Sequence, residues 1–123
     1  MSDSILSERA LREIYLKGFE ICVKEADPKM IMTSYNIINS VRTSENAELL
    51  EGILRDEWGF GGMITTDWQT RGTHLAEVKA CNDIKMSYGY PEELKAAYEA
   101  GKLTREELCV CVKRILEMIL WLE

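Results

Sequence analysis

Histidine occurs once in this 123-residue chain and proline twice, and basic residues are outnumbered by acidic ones, 15 to 21. A single imidazole, His74, cannot build a metal cluster by itself. A net charge of −6 argues against nucleic acid and anionic membranes as partners, because both demand a basic footprint. Long apolar runs are also missing: a stretch such as Met118-Ile119-Leu120-Trp121-Leu122 is far too short to cross a bilayer. Met1-Ser2-Asp3-Ser4 lacks the basic, apolar, small-residue succession of a signal peptide, so a cytoplasmic location is expected. Four cysteines, Cys22, Cys81, Cys109 and Cys111, follow neither zinc-ligand nor disulfide spacing, and free buried thiols are expected. No metal and no cofactor is called for.

What is present is an ordinary globular composition, 46% hydrophobic and 29% charged, at a length that suits one domain over residues 1–123. Ser7 can cap a first helix whose apolar face is Leu11, Ile14, Tyr15, Phe19, Cys22 and Val23, ended by Asp27-Pro28. The run Met30–Tyr35 has the continuous apolarity of a strand buried on both faces. Thr43 and Ser44 offer caps for a second helix with Leu49, Leu50, Ile53, Leu54 and Trp58 inward and Gly59 as its stop. A second strand is expected over Met63–Asp67 and a third near Ile84-Lys85-Met86, with a weak helix between them. Pro91 suits the first turn of a further helix, and Thr104 with Glu107 spells a capping box for the last one. That last helix is expected to bury Leu108, Val112, Ile115, Ile119 and Leu122. Strands alternating with helices imply a parallel sheet and an α/β layer.

Parallel sheets carry their chemistry at the carboxyl ends of their strands. Those positions hold Ser34-Tyr35-Asn36, Thr66-Asp67-Trp68 and Ser87-Tyr88. A carboxylate with aromatic rings suits a sugar site, since rings stack on pyranose faces and carboxylates act at the anomeric carbon. The pattern alone leaves open that Asp67 merely caps a helix.

Several motifs then agree in order and spacing. Glu8-Arg9-Ala10-Leu11-Arg12-Glu13-Ile14-Tyr15-Leu16 resembles a helix of the family 3 glycoside hydrolases, the β-glucosidase family, and Met32-Thr33-Ser34-Tyr35-Asn36 is similar to its S-Y-N strand end. Ile53-Leu54-Arg55-Asp56-Glu57-Trp58-Gly59-Phe60-Gly61-Gly62, leading into Thr66-Asp67-Trp68, resembles the stretch that carries the family's catalytic aspartate. Ala80-Cys81-Asn82-Asp83-Ile84-Lys85-Met86 is similar to its A-G-N-D-L-x-M segment, and Arg114-Ile115-Leu116 to its closing helix.

The resemblance implies the later part of a (β/α) barrel: a partial barrel with a small parallel sheet of about three strands flanked by helices. It implies Asp67 as the nucleophile of a retaining β-glycosidase, with Tyr35 steadying its charge and Trp68 and Met32 lining the sugar pocket. The substrate would be a terminal β-glucoside or xyloside. Asn36 and Asn39 are expected to hold their loop, and His74, Arg71 and Arg42 to sit on a solvated surface. No residue matches the family's general acid/base or its earlier sugar ligands, so the chain alone is expected to be inactive. It is expected to need the missing barrel half or to form a homodimer. The alternative is a non-enzymatic half-barrel remnant. Ser40, Gln69 and Cys81 stand where the family favours glycine, and Lys85 places a charge in a strand expected to be buried.

Overall fold

A computed structural model describes residues 2–123. It opens with a two-residue strand, β1 (Asp3–Ser4), which no periodicity marks. Helix α1 follows in three segments: Glu8–Ala10, a π-helical Leu11–Tyr15, and Lys17–Ala26. Ser7 caps it, its Oγ accepting from the Ala10 N–H at 3.2 Å, and Asp27 ends it in the left-handed region at φ 45°. The π segment corrects the expected inward face. Leu16 N–H bonds Leu11 C=O at 2.8 Å, a five-residue step that brings Leu11, Leu16 and Val23 inward. Ile14, Tyr15 and Phe19 turn outward as a result, and Cys22 is exposed too.

Strand β2 (Met30–Met32) comes next, then a hairpin of β3 (Ile37–Ile38) and β4 (Val41–Arg42). Both turn residues of the hairpin, Asn39 at φ 48° and Ser40 at φ 68°, adopt the positive φ that tight two-residue turns demand. β3 also pairs in parallel with β1. Asn39 ties this small sheet down: its Oδ1 accepts from Leu6 N–H at 2.8 Å and its Nδ2 donates to Leu6 C=O at 3.0 Å.

Thr43–Glu45 forms a 3-10 turn rather than the expected helix cap. Asn46 caps the helix instead, its Oδ1 accepting from Leu49 N–H at 3.0 Å, because Thr43 donates its hydroxyl to Ser34 C=O at 2.6 Å. Helix α2 (Glu48–Glu57), π-helical, buries Leu50, Ile53 and Leu54, and Gly59 stops it at φ 76°. Strand β5 (Met63–Thr65) is wholly buried and runs parallel to β2, with Met30 opposite Met63, Ile31 opposite Ile64 and Met32 opposite Thr65. Gly62 allows the close approach at its start, since a Cβ there would stand 2.4 Å from the Lys29 carbonyl oxygen.

Helices α3 (His74–Lys79), α4 (Pro91–Glu99) and α5 (Arg105–Leu122) complete the chain. The third strand shrinks to one parallel bridge between Thr65 and Ile84. Both halves of the capping box on α5 form: Thr104 N–H to Glu107 at 2.7 Å and Glu107 N–H to Thr104 at 3.1 Å.

The core lies between β5 and the helices, where Val23, Leu50, Leu54, Phe60, Ile64 and Ala80 pack together. Beside it Leu11, Leu16 and Ile53 form a second group, and Trp58 packs against both. Three further burial expectations need correcting. Met30 and Met32 are 47% and 56% exposed, because β2 has a sheet neighbour on β5's side while its other neighbour in a closed barrel would come from another strand. On α5, Val112, Ile119 and Leu122 are exposed and Cys111 is the buried residue, since the described chain packs against the first turns of that helix more than its end. Cys22 and Cys109 likewise are exposed thiols, not buried ones. No helix among the described residues is long and apolar enough to cross a membrane.

Candidate active site

Parallel register decides which side chains meet. Because Met32 lies opposite Thr65, the residues just beyond them, Tyr35 and Asp67, emerge at the same end of the sheet. Thr66 fixes the exit of β5. It is wholly buried, its N–H donates to Ile84 C=O at 2.9 Å, and its Oγ1 accepts from Met86 N–H at 2.9 Å and donates to Asp67 C=O at 3.0 Å. The Asp67 backbone is therefore held rigidly while its carboxylate stays half-exposed. Its Oδ1 accepts from Trp68 N–H at 2.6 Å.

The Tyr35 hydroxyl donates to the Trp68 carbonyl, which brings the phenol beside the carboxylate. Loss of water around the phenol, then the negative charge of Asp67, raises Tyr35 above its usual pKa. Trp68 presents its indole to solvent at 57% exposure, an open aromatic face next to an acid. Three of the four candidate residues thus gather at one strand end. Met32 lies apart from them, bordering an apolar crevice of about 180 Å³ with Phe19, Ile38 and Trp58.

A buried polar network behind this site escaped sequence reasoning. Glu77, fully buried, pairs with Lys85 at 2.5 Å and accepts from Thr70 and Ser44. Asn82 donates to Ser44 C=O at 2.6 Å and to Glu77 C=O at 3.1 Å, and accepts from Thr33 Oγ1 at 3.3 Å. Below it, Asp83 bonds Arg55 at 3.0 Å, Arg114 at 3.2 Å and the Ile64 N–H of β5 at 2.8 Å. The available signal was Lys85 itself, a charge inside an apolar segment, which has to find a buried acid. His74 also departs from the surface expected for it: it is half-buried and its Nδ1 accepts from Tyr90 N–H at 3.0 Å. Among the described residues no group of three or more His, Cys, Asp or Glu could hold a metal ion.

Parallel strands flanked by helices, with an acid and aromatics at the strand carboxyl ends, place the chain in the α/β class whose sites form at that end of the sheet. Comparison with known proteins narrows that class. Residues 3–118 match the glycosyl hydrolase family 3 N terminal domain, and the chain belongs to that family. It is 55% identical over 107 residues to beta-glucosidase A of Butyrivibrio fibrisolvens, covering 87% of this chain and 13% of that protein. To an exo-alpha-(1->6)-L-arabinopyranosidase of Bifidobacterium breve it is 37% identical, over 95% of this chain and 16% of the other. Among solved structures, beta-glucosidase 3B of Thermotoga neapolitana superposes with a TM-score of 0.89 at 42% identity, covering 94% of this chain and 18% of that one. The glucose complex of the Kluyveromyces marxianus beta-glucosidase gives 0.91 at 39%, covering 96% and 15%. The chain therefore spans about one-seventh of the length of the curated relatives it matches.

Proposed function

We propose that this chain is a single partial (β/α)-barrel domain, and that it supplies the nucleophile side of a retaining β-glycosidase site. Asp67 attacks the anomeric carbon of a terminal β-glucoside or β-xyloside, displacing the leaving group and forming a glycosyl-enzyme that water then hydrolyses. The meeting of Asp67 with Tyr35, from neighbouring parallel strand ends, is the observation that carries this reading. Tyr35 steadies the carboxylate, and Trp68 gives the sugar a flat face. Met32 joins the wall only if the pocket extends across β2.

Retaining hydrolysis needs a second carboxyl group about 5–5.5 Å from the first, to protonate the leaving oxygen. Glu77, the fully buried acid behind the site, is spent on Lys85, Thr70 and Ser44. General-acid help is worth on the order of 10²–10⁴ in rate, so the chain alone should turn over no glucoside. It acts with the missing barrel half, or associates with a second copy through the open side of β2.

To test this, the chain is mixed with the earlier barrel half and following domain of a relative and assayed on aryl β-glucosides. Turnover with retained anomeric configuration, reduced to background by Asp67→Ala, is expected. No turnover in any combination, or turnover indifferent to Asp67→Ala, overturns the reading and favours the non-enzymatic remnant. Light scattering that finds a stable monomer at micromolar concentration sinks the self-association.

A further inference from the structure

We propose that Lys85 and Glu77 are positioning residues for the Asp67 strand end, clamping the loop from Gln69 to Thr73 that follows it. Their side chains are 2% and 1% exposed, the driest ion pair among the described residues, ahead of Arg55 and Asp83 at 7% and 0%. An ammonium has three donors, and all three are used: Glu77 Oε2 at 2.5 Å, Thr70 Oγ1 at 2.8 Å and Gly72 C=O at 3.2 Å. Two of those three partners lie in the loop. The Thr70 hydroxyl accepts from Lys85 and donates its own proton to Glu77 Oε1 at 2.5 Å, while Ser44 donates to the same oxygen at 3.1 Å. Gly72 is fitted to this arrangement, since a Cβ there would lie 2.5 Å from Glu77 Oε1.

Stability alone does not explain such a pair. A buried ion pair is commonly matched or bettered by apolar residues of equal volume, because both charges lose their water. An apolar pair, however, could not hold a hydroxyl and a carbonyl of the same loop at fixed points. The loop needs holding: Gln69 sits at φ 52°, a conformation that side chains resist. What the clamp fixes is the Trp68 carbonyl, two residues ahead of Thr70, on which the Tyr35 hydroxyl rests. Through that contact the pair sets where Tyr35 stands against Asp67.

The catalytic meaning rests on Asp67 as nucleophile, but the test uses no turnover, so either idea can fail without the other. Two variants of the full chain serve. Thr70→Val removes the relaying hydroxyl and leaves the ion pair; Glu77→Gln with Lys85→Met removes both charges together, so that neither is stranded. Backbone order at Trp68–Gly72 is read by ¹⁵N relaxation, and Tyr35 by titrating its labelled ring carbon. The parent loop is expected to be rigid, with order parameters of about 0.85, falling below about 0.6 in both variants. The Tyr35 titration should move in both while circular dichroism stays unchanged, and Thr70→Ser should restore the parent values. A mobile loop in the parent, or a folded Thr70→Val chain with parent loop order and parent Tyr35 titration, overturns the proposal. Should the double variant unfold, Thr70→Val decides.

Discussion

Two carboxylates in this chain each lie between two cations, and they differ in almost everything but that. Glu20 bridges Lys17 at 2.8 Å and Lys24 at 2.7 Å along one surface of α1. Asp83 bridges Arg55 at 3.0 Å and Arg114 at 3.2 Å beneath β5, with its own side chain at 0% exposure. The surface group has the shorter contacts. It is nevertheless the weaker, because water and salt screen it and long lysines give up rotamer freedom to form it. The buried group also supports the sheet, since Asp83 Oδ2 accepts from the Ile64 N–H and stands in for part of a missing strand partner. Burial drives the Arg55 guanidinium below its usual pKa, and Arg114 beside it adds to that, so Asp83 is what allows both arginines to remain there. Proximity measures contact, and burial decides what contact is worth.

The largest expected effect follows from removing the buried carboxylate. Asp83→Ala strands two cations and one strand N–H, which should cost about 3–5 kcal/mol in urea unfolding. Asp83→Asn keeps an acceptor for Ile64 and should recover part of that loss. Equal losses for the two variants would mean that charge alone matters and the strand contact does not.

The same contrast separates the two paired strands. Ile64 on β5 is 0% exposed, whereas Met32 on β2 is 56% exposed, although Met-Ile-Met and Met-Ile-Thr read alike. Ile64→Ala should destabilise by about 2–5 kcal/mol, while Met32→Ala should stay within about 0.5 kcal/mol. A large cost at Met32 would show that a second copy already covers β2 in solution, which sharpens the comparison into one between two states of assembly.

Much of this was legible. The capping box at Thr104, the cap at Ser7, Pro91 at a helix start and the stop at Gly59 follow from local chemistry that a sequence displays. So do the parallel strands at Met30 and Met63 and the strand-end placement of Tyr35, Asp67 and Trp68. Pairing of two-residue strands such as β1 and β3 depends on contacts over thirty residues away and leaves no periodic trace. The π segments mislead for a sharper reason. Their five-residue step shifts the inward face, so that Leu16 replaces Phe19 as the buried residue. The glycines that the resemblance led one to expect at Ser40, Gln69 and Cys81 acquire a cause, because these residues sit at φ 68°, 52° and 68°. Glycine suits those positions, and this chain accepts strain in its absence. Lys85 was visible as an anomaly, but its partner Glu77 could be found only in space.

The smallest expected effect belongs to the surface triad. Lys17 first and Lys24 second, through hydrogen bonds to the carboxylate, hold Glu20 down at a pKa of about 2, below the ordinary value of about 4.5. A carboxylate depressed on folding adds stability above its unfolded pKa and loses it as pH falls through the folded one. The window for Glu20 therefore opens near pH 4.5 and closes near pH 2. Glu20→Gln should be slightly less stable than the parent at pH 7 and low salt, by far less than Asp83→Ala. Its difference from the parent should shrink as pH drops through that window, and again in about 1 M salt, where the Debye length is near 3 Å. Urea unfolding of both chains at about pH 7 and about pH 2.5, each at low and high salt, reads all of this. A loss at Glu20 as large as that at Asp83, or one indifferent to salt, would mean that α1 carries its charges out of water against a partner, and the contrast between the two carboxylates would fall.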